Sequence, residues 1–252
     1  MREFFLSAHV GQIIVSGWIF FASIYIIFGG INWLLTRYLL PAFNIGHLLD
    51  PRPIASGQIK RELMLSSLSI FLFGLGVVVP WAFLQLGWAN LAIQPSLIQI
   101  CLEILVLALW NEIHFYINHR LLHTRWLRRF HLAHHHSVVT TPWATYSFHP
   151  VEALMLGNVI LLPMLVHDFS TVALLSLPIM SLIFNNIGHS NYNFRPKGKG
   201  PWRESSRRHH LHHAAFNGNF GFMFGFMDYF FSTKLPDDSA DAQINKWRER
   251  NR

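Results

Sequence analysis

The histidines of this sequence are the residues best placed to do chemistry. Seven of the sixteen lie in one stretch, NEIHFYINHRLLHTRWLRRFHLAHHH (111–136), and four more in HHLHH (209–213), in a chain that is 52% hydrophobic and only 13% charged. His119 and His123 are four apart, so on a helix they share one face and their rings can converge on one ion. His131, His134 and His135 repeat the pattern at i, i+3 and i+4, and His209, His212 and His213 repeat it again. These eight imidazoles exceed what one tetrahedral or octahedral ion can use, so the spacing implies two metal ions. The single cysteine, Cys101, lies in an apolar run, which excludes a thiolate site. Imidazole suits zinc, copper, iron and nickel alike, and the spacing leaves the ion open. A histidine run can also bind metal adventitiously, but three clusters with matching H-x-x-H-H periodicity argue against that.

At these residues the sequence resembles the fatty acid hydroxylase/sterol desaturase superfamily of integral-membrane di-iron enzymes. The pattern H-R-x-x-H stands as His119-Arg120-Leu121-Leu122-His123, followed by H-x-x-H-H over His131 to His135. Downstream come H-P-x-E as His149-Pro150-Val151-Glu152, H-S-x-Y as His189-Ser190-Asn191-Tyr192, and a last H-x-x-H-H over His209 to His213. N-Y-G and D-x-x-F-G-T are approximated by Asn219-Phe220-Gly221 and by Asp228 to Thr233, where Ser232 replaces a glycine. His114 stands where the family often has an acidic residue, and it is left outside the ligand set. The resemblance covers about residues 100 to 235 and implies two iron ions, with zinc able to replace them on purification and O2 as co-substrate. It adds His149 and His189 to the eight spaced ligands. Carboxylates near the boxes should accept the ring N–H opposite the metal and fix the tautomers, and Glu112, Glu152, Asp228 and Asn219 are the candidates. His9, His47 and His167 lie far from any box. His136 and His210 sit beside ligands but point away by about 100° per residue of helix.

The elements that must position these groups are membrane helices. Mean hydropathy is +0.29 and there are nine tryptophans, in an all-α pattern of long apolar runs. Residues 4 to 33 carry no formal charge and exceed the roughly 20 residues needed to cross a hydrocarbon core, with a break expected at Gly29-Gly30. The run is too long for a signal peptide and is expected to be retained. Leu63 to Leu102 is a second uncharged run, interrupted by Pro80, Gly87 and Pro95. It reads as a hairpin of spans at 63–87 and 96–117, the latter delivering His119 and His123 at its emerging end. A shorter hairpin over 152–187 must return to the same side, because His149 and His189 should reach one site. Beyond Arg195 the chain is basic, and Pro236 to Arg252 reads as a charged tail.

With this topology every lysine and arginine except Arg2 falls on the histidine side, which the positive-inside rule makes cytosolic. The whole chain thus reads as a single integral-membrane unit in a bacterial inner membrane or endoplasmic reticulum. The formal charge of +7 flanks apolar spans with no nucleic-acid motif, which argues against a nucleic-acid partner. One cysteine excludes an internal disulfide framework. The resemblance implies hydroxylation or desaturation of a C–H bond in a lipid, a fatty acyl chain or a sterol. No H-P-G-G haem motif is present, so electrons are expected from a separate reductase, ferredoxin or cytochrome. Trp110, Trp126, Trp143, Tyr146, Phe148 and Met155 are candidates to line the lipid channel. A transition-metal transporter or store is the alternative, disfavoured because the histidines cluster outside the apolar spans. A zinc hydrolase is disfavoured by the absence of H-E-x-x-H.

Overall fold

A computed structural model describes residues 1–194, 201–236, 238–239 and 241–250. The basic stretch beginning at Arg195 falls on 195–200, outside the described residues. The helices, in order, are α1 (Arg2–Ser7), α2 (Val10–Leu34), α3 (Leu40–Ala42), α4 (Gln58–Gly76), α5 (Val78–Gln85), α6 (Leu97–Leu122), α7 (Arg128–His135), α8 (Pro150–Gly157), α9 (Leu161–Val166), α10 (Thr171–Gly188), α11 (Pro201–Ala215), α12 (Phe226–Phe230) and α13 (Asp241–Arg250). The only β pairing among the described residues is antiparallel, β1 (His47–Leu48) with β2 (Tyr192–Asn193). The protein is an all-α integral membrane protein, with four helical stretches long and apolar enough to cross a bilayer: Val10–Ala42, Gln58–Gln85, Leu97–Leu122 and Thr171–Gly188.

The first of these differs from expectation at both ends. His9 caps α2, its Nδ1 accepting from the Gly11 N–H at 3.2 Å, so residues 2–7 form a separate short helix. The pair Gly29-Gly30 does not break α2, which continues through a π turn at Leu35–Leu39 into α3. Gly29 instead permits close packing: a Cβ there would meet the Trp143 ring at 3.0 Å. Around Pro80 the expected interruption is small. Pro80 lies in the first turn of α5, where its missing N–H costs nothing, and one residue, Val77, joins α4 to α5.

The hairpin from α8 to α10 reaches the end of the molecule opposite the histidines. The Ala92 N–H, in the loop joining α5 to α6, donates to the Phe169 carbonyl at 3.0 Å. Nearby, the buried Glu103 carboxylate accepts the Ser170 N–H at 2.8 Å. The descending limb pauses in a 3-10 turn at Asn158–Ile160, where Trp110 Nε1 donates to the Val159 carbonyl. Apolar clusters hold the two levels, with Leu107, Met164, Phe169 and Leu177 at the far end. Ile24, Tyr25, Tyr146, Phe148 and Leu182 pack beneath the histidines. The segment after Pro236 is no free tail, since Ile244 of α13 packs on Leu211 of α11.

Candidate metal centre

Four helices deliver the imidazoles to one place. His119 lies in the last turn of α6 and His123 caps it; His131, His134 and His135 lie on α7, and His209, His212 and His213 on α11. His189 caps α10. They sort into two groups whose ligand atoms all lie within 4.8 Å of one another: His119, His123, His131, His135 and His212 in one, and His134, His189, His209 and His213 in the other. Each H-x-x-H-H box serves both. Its i, i+4 pair forms one edge of a group, while its middle histidine, rotated off that edge, joins the other.

The tautomers explain why the rings need a cation between them. Nδ1 of His189 donates to the Asn185 carbonyl at 2.8 Å, that of His212 to Gly218 at 2.7 Å, and that of His119 to Phe220 at 2.9 Å. His131 Nδ1 donates to Glu152 Oε1 at 2.7 Å. A carbonyl or carboxylate only accepts, so in these neutral rings Nε2 bears the lone pair. His189 Nε2 nonetheless faces Nε2 of His134 and of His209, each at 3.0 Å. His135 Nε2 faces those of His131 and His212, also at 3.0 Å. One ring proton cannot serve two such contacts, whereas a metal ion can. Cis ligands on bonds of about 2.1 Å stand about 3.0 Å apart, which matches these separations. His123 Nε2 is buried with no hydrogen-bond partner, a donor atom aimed at the same point. Burial, reinforced by neighbouring imidazoles, holds His131, His134, His135, His209, His212 and His213 well below the usual histidine range. Burial likewise lowers His189 to about 4. These rings are neutral at pH 7, the form a metal requires.

Nine of the ten expected ligands thus come together, and His149 does not. Pro150 starts α8, leaving His149 as its N-cap, with Nδ1 accepting from the Val151 N–H at 3.2 Å and the ring against Phe130. His136 is exposed and His210 is buried, both outside the two groups. His114 bonds Asn158 Oδ1 at 2.8 Å. His47 lies in β1 and His167 pairs with Glu103 at the far end.

Of the four expected tautomer-fixing groups only Glu152 touches a ring. Glu112 accepts the N–H groups of Phe222, Met223 and Phe224, and Asp228 those of Phe220 and Gly221. Asn219, in the left-handed region at φ +56°, donates to the Arg208 carbonyl and accepts from the Leu235 N–H. These three residues hold the 218–224 loop, whose carbonyls then orient His119 and His212. Sequence reasoning missed those carbonyls, since a backbone acceptor carries no residue-type signal.

A small enclosed cavity lies against both groups, walled on its apolar side by Phe115 and Leu122 of α6, Phe148, and Leu156 of α8, with Asn185 of α10 beside them. Of the aromatic residues expected there only Phe148 lines it. Trp126 is exposed, while Trp143 and Tyr146 pack around Tyr25. Phe115 and Leu122 were findable, being four before and three after His119 and so on its helical face.

The fold and site define an all-α membrane protein with two converging groups of histidines, each able to hold a metal ion. The chain belongs to the fatty acid hydroxylase family, whose model matches residues 104–233. It is 30% identical over 216 residues to a very-long-chain aldehyde decarbonylase of Oryza sativa subsp. japonica, covering 77% of this chain and 32% of that protein. It is 26% identical over 207 residues to a Delta(7)-sterol 5(6)-desaturase of Candida glabrata, covering 77% of this chain and 55% of that one. The chain therefore spans between a third and little more than half of these relatives. No solved structure matches it.

Proposed function

We propose that this chain is a membrane di-iron oxidoreductase that uses O2 and two electrons to hydroxylate or desaturate a C–H bond of a lipid, an acyl chain or a sterol. The observation that carries the reading is the pair of all-nitrogen groups, with the apolar side chains Phe115, Leu122, Phe148 and Leu156 beside them. His119, His123, His131, His135 and His212 would hold one iron, and His134, His189, His209 and His213 the other. When bound, the irons supply the oxygen activation that side chains cannot. The chain's own part is to hold the rings in one tautomer, through Glu152 and the carbonyls of Asn185, Gly218 and Phe220. Phe115, Leu122, Phe148 and Leu156 would keep water from the apolar side of the metals.

The family and the names of its relatives, which act on aldehydes of very long chains and on sterols, support a lipid substrate. Electrons come from a separate reductase, ferredoxin or cytochrome. The histidine end faces the cytosol of a bacterial inner membrane or endoplasmic reticulum, supported by the bias of lysine and arginine. Comparing the lipids of cells with and without the protein tests the activity: a mass gain of one oxygen or a loss of two hydrogens is expected. An unchanged lipid profile in iron-replete, aerobic cells supplied with a reductase overturns it.

A further inference from the structure

Five large aromatic residues in the segment 224–231 point outward, although the segment lies outside the four apolar spans. Tyr229 is 84% and Phe230 77% exposed, and Phe224, Phe226 and Phe231 share the surface. In water such a patch would be a liability. Its position along the spans gives it another setting. Phe231 stacks on Tyr116 of α6 with centroids 5.2 Å apart, and the Arg120 guanidinium lies over Phe231 at 5.6 Å. Phe224 faces Phe184 of α10. The backbone of 222–224 is tied to Glu112, ten residues or about 15 Å along α6 from its end at Leu122. The segment therefore descends beside two membrane helices, with Arg120 marking the headgroup level above it.

Irregular backbone survives at membrane depth only where its polar groups are satisfied by protein, and here they are. Five consecutive N–H groups, Phe220 to Phe224, are all taken by two buried carboxylates, Asp228 and Glu112. Arg208 donates to the carbonyls of Gly221 and Phe222, both at 3.2 Å. Gly225, at φ +67°, turns the chain into α12 where a Cβ would collide with Arg208.

We infer that residues 220–231 form a re-entrant flap whose aromatic face is covered by the acyl chains of the leaflet on the histidine side. On its inner face Phe222 packs on Phe115 at 4.5 Å, and Phe115 lines the metal cavity. The flap thus stands between bilayer and metals. Only that last statement rests on the lipid-oxygenase reading; insertion itself does not.

The test needs no activity. In a Cys101→Ser background, which removes the chain's one cysteine, nitroxides are placed at Phe230→Cys and, separately, Tyr229→Cys. The full chain is reconstituted in vesicles of phosphatidylcholine and phosphatidylglycerol. Collision with oxygen, which concentrates in lipid, is compared with collision with a water-soluble nickel chelate. Leu105→Cys, on the lipid-facing surface of α6, and the exposed Asp238→Cys are the references. The expected oxygen-to-nickel ratio at 229 and 230 is that of Leu105→Cys. A ratio matching Asp238→Cys would overturn the proposal, as would low collision with both reagents, which marks a protein contact. Two independent sites keep the test decisive if one variant fails to fold.

Discussion

Replacing Glu152 by alanine should weaken one metal site and spare the other. Glu152 and His131 are both buried and joined at 2.7 Å. The alanine variant leaves the His131 Nδ1–H without an acceptor and frees its ring to turn. Loss of such an outer partner weakens a metal site roughly 10- to 100-fold, or about 1.4 to 2.7 kcal/mol. His131 belongs to the five-histidine group, while in the four-histidine group His189 takes its ring orientation from the Asn185 carbonyl, which the substitution does not touch. Titration against a chromophoric chelator should therefore resolve two classes of site in Glu152→Ala, one weakened by that factor and one unchanged. Glu152→Gln keeps an acceptor oxygen and should recover most of the loss. Equal weakening of both sites, or of neither, would refute the assignment of Glu152 to His131 and the division into two groups.

Four further outcomes follow from the same geometry. Alanine at His149 or His136 should leave metal content at the wild-type level, whereas alanine at His189, one of only four in its group, should remove one ion per chain by elemental analysis. Glu112→Gln should destabilise the folded protein by about 2 to 4 kcal/mol, because one amide oxygen cannot accept three N–H groups and at least one charge-assisted bond is lost; an unchanged denaturation midpoint would count against the loop clamp. The metal-stripped protein should lose stability as pH falls below about 6.5, since unfolded imidazoles then bind protons that the buried ones, lowered to about 4 at His189, refuse. Chemical denaturation between pH 7 and 4 measures this, and stability that rises on acidification would contradict it. Accessibility tags in the Arg37 to Glu62 connector and at the C-terminus should report one side of the membrane, and a tag between Gly87 and Ser96 the other.

Much of this arrangement was legible in residue spacing. The i, i+4 pairs place ring nitrogens together whenever the backbone is helical, so His119, His123 and both H-x-x-H-H boxes could be read without a fold. What spacing could not supply was the division of each box between two groups, which depends on how α6, α7 and α11 cross. His149 shows the opposite limit: its motif looked like a ligand position, but a proline at the next residue makes it a helix cap. Gly29-Gly30 looked like a break because glycine is permissive, yet packing against Trp143 keeps α2 helical. Glu112 and Asp228 were expected to fix ring tautomers, but their partners are five backbone N–H groups some hundred residues away or in an adjacent loop. Local sequence does not encode such pairings.

The most direct test of the two-group centre is the number of irons held by the purified full chain after iron-replete expression, counted against protein by quantitative amino-acid analysis. Two per chain is the predicted result. One or fewer, with the nine converging histidines intact, would contradict it.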